Sequence, residues 1–213
     1  MSYIHERVPY FSQWESRELV GKIIRKEDSA KADPLWKNSG AETPEEYELW
    51  SWNGCGMACL KMILARHVGK EFNLVGLGRL CMQYGGYKQS RDTLNGLYYK
   101  PFVDFIGKEF NLVGRVASPL SLGEAIDEVN KKNYVIASVS HEIRRPAASP
   151  TQRGGHLILI LGFDANQKTL FIHNPSGDTK ESQEYARVSF MDFEKFFAHR
   201  GIIIETKGFT EDN

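Results

Sequence analysis

The chain has 213 residues, with 27 Lys and Arg against 27 Asp and Glu, so its formal net charge is zero. Nucleic acids and anionic membranes attract proteins that carry a clustered excess of positive charge, and this balance argues against both as partners. Apolar residues account for 41% of the chain and charged residues for 25%, which is typical of a globular protein and excludes a disordered or fibrous one.

No apolar run approaches the roughly 20 residues that a membrane helix needs, and the N-terminal sequence lacks the pattern of a secretory signal. We therefore expect a cytoplasmic protein with no membrane association. Its three cysteines, Cys55, Cys59 and Cys81, are too few and odd in number for a disulfide framework. No second pair of Cys or His at zinc-like spacing accompanies Cys55 and Cys59, so we predict no metal site and no cofactor.

The helix and strand signals follow one another without a low-complexity linker. This predicts one domain over residues 1–213, with a helical or loop insertion at about 15–49. Capping residues and apolar spacing predict helices at about 15–26, from Pro44 onward, and at 56–67, 74–84, 92–109 and 121–132. Short apolar or β-branched runs predict strands at 134–140, 156–164, 169–173, 187–189 and 202–206. Helices followed by an antiparallel sheet indicate an α+β fold.

One octapeptide, GKEFNLVG, occurs twice, at 69–76 and at 107–114. The residues that flank the two copies do not match. Repeat architectures need self-similar units of about 20 residues or more. We therefore assign the duplication no functional weight.

Three residues could together form a nucleophilic site: Cys55, His156 and Asn174. Cys55 precedes an apolar helix, and a helix N-terminus with an adjacent imidazolium can lower the pKa of a thiol from about 8.5 to roughly 3.5–7.5. His156 starts one predicted strand, Asn174 follows the next, and the short connection between the strands suits an antiparallel hairpin. Such a hairpin places both residues at the same edge of the sheet. There the amide oxygen of Asn174 can hold His156 in one tautomer.

Four segments carry a resemblance to a known family. They are VPYFSQW near the start, NGCGMACLKMIL around the cysteine, GGHLILILGFD around the histidine and HNPSG around the asparagine. In this order and spacing they resemble the C39-like cysteine peptidases, which have a papain-like fold. The resemblance covers about residues 8–204, apart from 15–49 and 141–154. It implies N-terminal helices, with the helix of the nucleophile packed on a C-terminal antiparallel sheet.

The resemblance also implies a role for each matching residue. Cys55 is the nucleophile, His156 is the general base and then the general acid, and Asn174 orients the imidazole. The side chain of Gln13 completes an oxyanion hole with the backbone N–H of Cys55. Many C39-like relatives have aspartate where this chain has Asn174. This difference argues against membership of a closely related subgroup more than it argues against catalytic activity.

Four further residues are candidates for substrate binding. Gly54 and Gly155 lie beside the proposed nucleophile and base, and a backbone without β-carbons admits a substrate closely. Trp14 and Trp52 precede the nucleophile in sequence and are assigned to the substrate groove, although burial in the core is the alternative for such tryptophans.

Other polar residues have structural alternatives. Gln13 could merely occupy a capping box that begins at Ser12. Arg144, Arg145 and Arg153 lie in a polar loop before the proposed base and could bind a carboxylate or phosphate. Exposed loop arginines are more often solvated, so the sequence leaves both readings open.

The leading hypothesis is a cysteine peptidase or amide hydrolase that forms an acyl-thioester intermediate on a peptide or amide substrate. An acyl or aminoacyl transferase would use the same residues and pass the acyl group to an amine. A non-catalytic binding module that retains the fold is the third hypothesis. Product analysis with and without an added amine separates the first two, and preferential reaction of Cys55 with an electrophile excludes the third.

Overall fold

A seven-stranded antiparallel sheet forms the centre of the computed structural model, which describes residues 1–206. The strands in chain order are β1 (Ser2–Ile4), β2 (Tyr87–Ser90), β3 (Thr93–Gly96), β4 (Gly114–Ala117), β5 (Tyr134–Val139), β6 (His156–Asp164), β7 (Thr169–His173), β8 (Ala186–Ser189) and β9 (Phe197–Ile204). The sheet has the order β4-β9-β5-β6-β7-β8, with β1 also paired to β6, while β2 and β3 form a separate hairpin. The final residues of the predicted domain, 207–213, lie outside the described residues.

Eight α-helices are present among residues 1–206. They are α1 (Val20–Ile24), α2 (Pro44–Asn53), α3 (Cys55–Val68), α4 (Leu74–Gln83), α5 (Tyr99–Phe110), α6 (Leu122–Asn130), α7 (Lys180–Gln183) and α8 (Phe190–Phe196). Short 3₁₀ helices cover Ala30–Ala32, Trp36–Ser39 and His141–Arg144. In the part of the chain described here, no helix combines the length and apolarity needed to cross a bilayer.

Strand β6 crosses the middle of the sheet, and both of its faces are buried. Leu157, Leu159 and Leu161 belong to the apolar cluster that contains α3, α4 and α5. Ile158 and Ile160 belong to the opposite cluster, together with α6 and α8. The alternation of side chains along one strand thus joins two helical layers to the sheet. This arrangement is the α+β fold predicted from the sequence.

Helix α3 begins at Cys55, directly after a glycine that occupies a crowded position. A β-carbon at Gly54 would lie 2.7 Å from the Leu74 side chain and 2.8 Å from the carbonyl oxygen of Trp50. The helix ends at Gly69, which adopts a left-handed conformation with φ of 64°. Residues 56–64 of α3 are buried between the sheet and the other helices, so the first turn of the helix is held in place.

The predicted hairpin is confirmed. β6 and β7 pair in antiparallel fashion, with Leu159 opposite His173 and Asp164 opposite Thr169. The start of β6 and the residue after β7 therefore lie at the same edge of the sheet. This register brings His156 and Asn174 together.

Two predicted helices are corrected. The helix expected at 92–109 begins only at Tyr99, because residues 93–96 pair with β2 as a strand. The helix expected at 15–26 is limited to Val20–Ile24, and the residues before it form turns. At the C-terminal end, the strand predicted at 202–206 runs from Phe197 to Ile204, and α8 directly precedes it.

The segment at 15–49 is organised around the buried carboxylate of Asp33. Asp33 accepts hydrogen bonds from the backbone and hydroxyl of Ser16, from the backbone of Leu35 and from the hydroxyl of Tyr47. Trp14, Val20, Ile23, Ala30 and Tyr47 form a small apolar cluster beside it. The segment therefore has a core of its own. Its status as an insertion into one domain stays a prediction.

Candidate active site

A cleft of about 480 Å³ contains both Cys55 and His156 in its wall. Leu97, Tyr98 and Tyr99 contribute an apolar and aromatic side, while Ser118, Ser138 and Arg200 contribute a polar side. The cleft lies where the N-terminus of α3 meets the start of β6. The two elements that the sequence assigned to catalysis therefore meet at one solvent-accessible place.

The thiol of Cys55 is held against the first residues of β6. The backbone N–H of Leu157, which directly follows His156, favours the thiolate form of Cys55 and so lowers its pKa, against the larger effect of burial. One helical turn further on, the thiol of Cys59 lies 3.8 Å from the carbonyl oxygen of Leu157 and is completely buried. Cys59 thus packs α3 on β6. Among residues 1–206, no group of three or more His, Cys, Asp or Glu side chains is arranged to hold a metal ion.

The side chain of Asn174 determines which nitrogen of His156 carries the proton. Its oxygen Oδ1 accepts a hydrogen bond from the backbone N–H of Ser176 at 3.1 Å, and a backbone N–H can only donate. The same oxygen lies 2.8 Å from Nε2 of His156. Nε2 is therefore the donor in this contact, so the lone pair of the neutral imidazole is on Nδ1.

Burial determines the resting charge of the two proposed catalytic groups. It lowers the pKa of His156 to about 3, opposed by the hydrogen bond to Asn174 and assisted by the positive charge of Arg144. Burial raises the pKa of the Cys55 thiol, although backbone N–H groups partly oppose this shift. The sequence led us to expect a lowered thiol pKa beside an imidazolium. The structure differs because a buried imidazole stays neutral, so the resting pair is a thiol and a neutral base.

Two residues behind His156 were not assigned to the site from the sequence. The hydroxyl of Ser176 lies 3.0 Å from Nε2 of His156 and 3.3 Å from Oδ1 of Asn174. Arg144 donates from Nη2 to that hydroxyl at 2.8 Å. Ser176 lies in the HNPSG segment, two residues after Asn174, and this proximity was the available signal. Arg144 comes from the loop before His156, where the sequence suggested binding of a substrate anion and gave no signal for a contact with Ser176.

Gln13 lies near these residues but does not line the cleft. Its backbone N–H donates to the carbonyl oxygen of Pro175 at 2.9 Å, which ties it to the segment that carries Asn174. Its side-chain nitrogen donates to the carbonyl oxygen of Ser51 at 2.6 Å, and its side-chain oxygen is buried without a hydrogen-bond partner. The capping-box alternative for Gln13 is wrong, because no helix begins before Val20.

The four predicted substrate-binding residues occupy different environments. Gly155 lines the cleft, with a φ of 92°. Gly54 is buried under the start of α3, where packing requires a glycine. Trp14 is only 1% exposed and belongs to the cluster around Asp33, so its assignment to the groove is corrected to a core position. Trp52 is 45% exposed and contacts Trp14 edge to face, but it lies outside the cleft wall.

The arginines of the 141–154 loop are used within the protein. Arg144 contacts Ser176, and Arg145 forms an ion pair with Asp178 at 2.7 Å. Arg153 lies 3.3 Å from the ring of His199. None of the three lines the cleft.

Comparisons with known proteins agree with this architecture. The model of the Peptidase C39 like family matches residues 5–202, so the chain belongs to that family. The structure of a candidate C39-like peptidase from Bacillus anthracis is similar over 97% of this chain and 98% of the other, with a TM-score of 0.58 and 13% identity. This likeness shows a C39-like peptidase fold.

A second solved structure is similar over a smaller part. The peptidase domain of Streptococcus ComA, a bifunctional ABC transporter involved in a quorum-sensing pathway, covers 71% of this chain and 90% of its own length. The TM-score is 0.48 and the identity is 18%. Among curated proteins, no significantly similar sequence is found.

Proposed function

We propose that this chain is a cysteine peptidase that hydrolyses a peptide or amide bond through an acyl-thioester on Cys55. The observation that carries the proposal is the proton assignment on His156. The backbone N–H of Ser176 donates to Oδ1 of Asn174, so this oxygen is an acceptor. Nε2 of His156 must therefore donate to it, which leaves the basic lone pair on Nδ1. Cys55 and His156 line the same cleft, which supports transfer of the thiol proton to that lone pair.

In the acylation step, Nδ1 of His156 takes the proton of Cys55 while the sulfur attacks the substrate carbonyl carbon. A neutral imidazole beside a neutral thiol suits this transfer, since the base needs its lone pair and the nucleophile gains its charge only during attack. The imidazolium then gives the proton to the leaving amine as the C–N bond breaks. Asn174 stabilises that imidazolium and keeps the ring in place through its amide oxygen.

The negative charge on the substrate oxygen needs hydrogen-bond donors. Cys55 is the first residue of α3, where backbone N–H groups have no partner within the helix. The side-chain nitrogen of Gln13 has two N–H groups, of which the contact with Ser51 uses one. The family resemblance assigns the second N–H to the oxyanion, a role that requires the Gln13 side chain to turn toward the cleft, whose wall it does not line.

Deacylation restores the enzyme. Water attacks the thioester carbon while His156 accepts one of its protons, and the sulfur leaves and regains a proton from the imidazolium. The products are a carboxylic acid and the free thiol. An amine in place of water would give a new amide, which is the transferase alternative.

The test is hydrolysis of a mixed peptide library by the wild-type protein and by the Cys55→Ala variant. We expect Cys55→Ala to abolish hydrolysis and to retain the melting temperature. Cys81→Ala is the matched control, because Cys81 is a fully buried thiol away from the cleft and its loss should leave turnover intact. Full activity of Cys55→Ala would contradict the proposal, and amide products formed only with added amine would favour the transferase.

A further inference from the structure

We propose that the cleft selects substrates that carry a carboxylate and that Arg200 binds this group. The inference rests on the proposed peptidase function and names its substrate class. Arg200 is the one charged residue in the cleft wall, among the residues that the structure describes. The wall includes neither aspartate nor glutamate, so a cation faces the substrate space without a carboxylate of the protein to neutralise it.

A bulge in β9 directs Arg200 toward this space. Ala137 pairs with Gly201, and Val139 pairs with Phe197. Residues 198–200 of β9 therefore lie opposite a single residue of β5, Ser138. His199 adopts a left-handed φ of 50° within the bulge. Bulges change the direction of side chains and occur near active sites. Here the bulge lies opposite Ser138, which is itself part of the cleft wall.

The position of the guanidinium is indicated by its closeness to Gly154. A β-carbon on Gly154 would lie 2.8 Å from Nη2 of Arg200, and the glycine has a left-handed φ of 88°. Gly154 and Gly155 lead directly into His156. The guanidinium therefore lies beside the backbone that carries the proposed catalytic base.

The guanidinium is also available for a ligand. Within residues 1–206, Arg200 makes no hydrogen bond and no ion pair through its side chain. The carboxylate of Glu194 lies 3.6 Å from Nε2 of His199, the residue that precedes Arg200. By contrast, Arg144 and Arg145 are engaged with Ser176 and Asp178. An unpaired guanidinium in a concave wall offers a planar pair of donors that matches a carboxylate.

The carboxylate could belong to an Asp or Glu side chain of the substrate or to its free C-terminus. Both groups present the same two oxygens to Arg200. Peptide mixtures distinguish them: random hexapeptides are made with Asp and Glu, or with Asn and Gln in their place, and each mixture has a free or an amidated C-terminus. Neutral mixtures that are amidated provide the baseline.

The experiment measures binding of these mixtures to the Cys55→Ala protein, which reports recognition independently of turnover. We expect a carboxylate mixture to be retained about 10-fold more than the neutral amidated mixture, as for a charged hydrogen-bonded pair. Arg200→Gln should remove this preference, Arg200→Lys should keep part of it, and Arg153→Gln is the control for a nearby arginine outside the cleft wall. Wild-type hydrolysis of the same mixtures should show the same order.

Three results would overturn the assignment of Arg200. They are equal retention of the acidic and neutral mixtures, no retention of any mixture, and a preference for carboxylates that is unchanged in Arg200→Gln. The outcome is separable from the peptidase proposal. Hydrolysis without charge preference would contradict the role of Arg200 alone. Charge-dependent binding without hydrolysis by the wild-type protein would contradict the peptidase alone.

Discussion

Oδ1 of Asn174 lies 2.8 Å from Nε2 of His156, and the basic lone pair is on the other ring nitrogen, Nδ1. The amide orientation is set by the backbone N–H of Ser176, which donates to the same oxygen. A main-chain group therefore determines the tautomer of a side chain 20 residues earlier. This dependence gives the asparagine a specific electrostatic role that substitution can test.

Replacing Asn174 by aspartate should move the acid limb of the activity profile. A carboxylate beside His156 favours the imidazolium, so it should raise a pKa that burial lowers to about 3. The variant should then lose kcat/KM as the pH falls through the raised pKa, while the wild type keeps its neutral base to lower pH. We would measure kcat/KM from pH 4 to 8, with Asn166→Asp in the hairpin loop as the control. Superimposable profiles would refute this role of Asn174.

Ser176→Ala should lower kcat about 10-fold and leave KM nearly unchanged, because it removes the hydroxyl that supports both His156 and Asn174 while the backbone N–H remains. It also leaves Arg144 without the acceptor of its Nη2. Ser189→Ala is the control, since it removes the N-cap of α8 and should lower stability without changing kcat. Parallel losses of kcat in both variants would assign Ser176 to folding alone.

Protein stability should fall as the pH is lowered below about 6.5. Burial lowers the pKa of His5 and His67 to about 4 and that of His156 and His173 to about 3. The unfolded chain binds protons at these sites from about pH 6.5 downward, whereas the folded chain does not. The stability that comes from keeping these histidines neutral is therefore complete above about pH 6.5. It is lost as the pH falls from there to the pKa values of the folded protein.

The urea midpoint at pH 8, 6.5, 5 and 4 measures this effect. His173→Phe should flatten the dependence, because it removes one fully buried imidazole that packs on Tyr10 and Tyr185. His199→Asn is the control at a half-buried position with a left-handed backbone, which asparagine tolerates. A midpoint that does not change with pH across this range would contradict the burial argument.

The hairpin and the nucleophile helix could be predicted because their signals are local. The short connection between β6 and β7 fixes which residues face each other, and so the proximity of His156 and Asn174 follows from the sequence. The bulge that directs Arg200 has no comparable signal. It depends on how β9 pairs with β5, a partner more than 50 residues earlier in the chain, and the sequence alone does not show that register.

The duplicated octapeptide shows how tertiary context overrides local sequence. In the first copy, Asn73 caps the start of α4 through its side chain. In the second copy, Asn111 ends α5 with a left-handed φ of 54°. The equivalent rings of Phe72 and Phe110 contact each other at 5.4 Å. Identical residues therefore start one helix and end another. Tertiary context also explains why the predicted helix at 92–109 was wrong at its N-terminal end, where residues 93–96 pair with β2 instead.

Mass spectrometry of the acylated protein tests the central claim most directly. The wild-type protein would be incubated at neutral pH with an activated peptide ester, quenched in acid and digested. We predict an acyl group on Cys55, with Cys59 and Cys81 unmodified, and a loss of this adduct in His156→Ala. An unmodified Cys55, or equal acylation of Cys55 in His156→Ala, would contradict a thiol that depends on this imidazole for its reactivity.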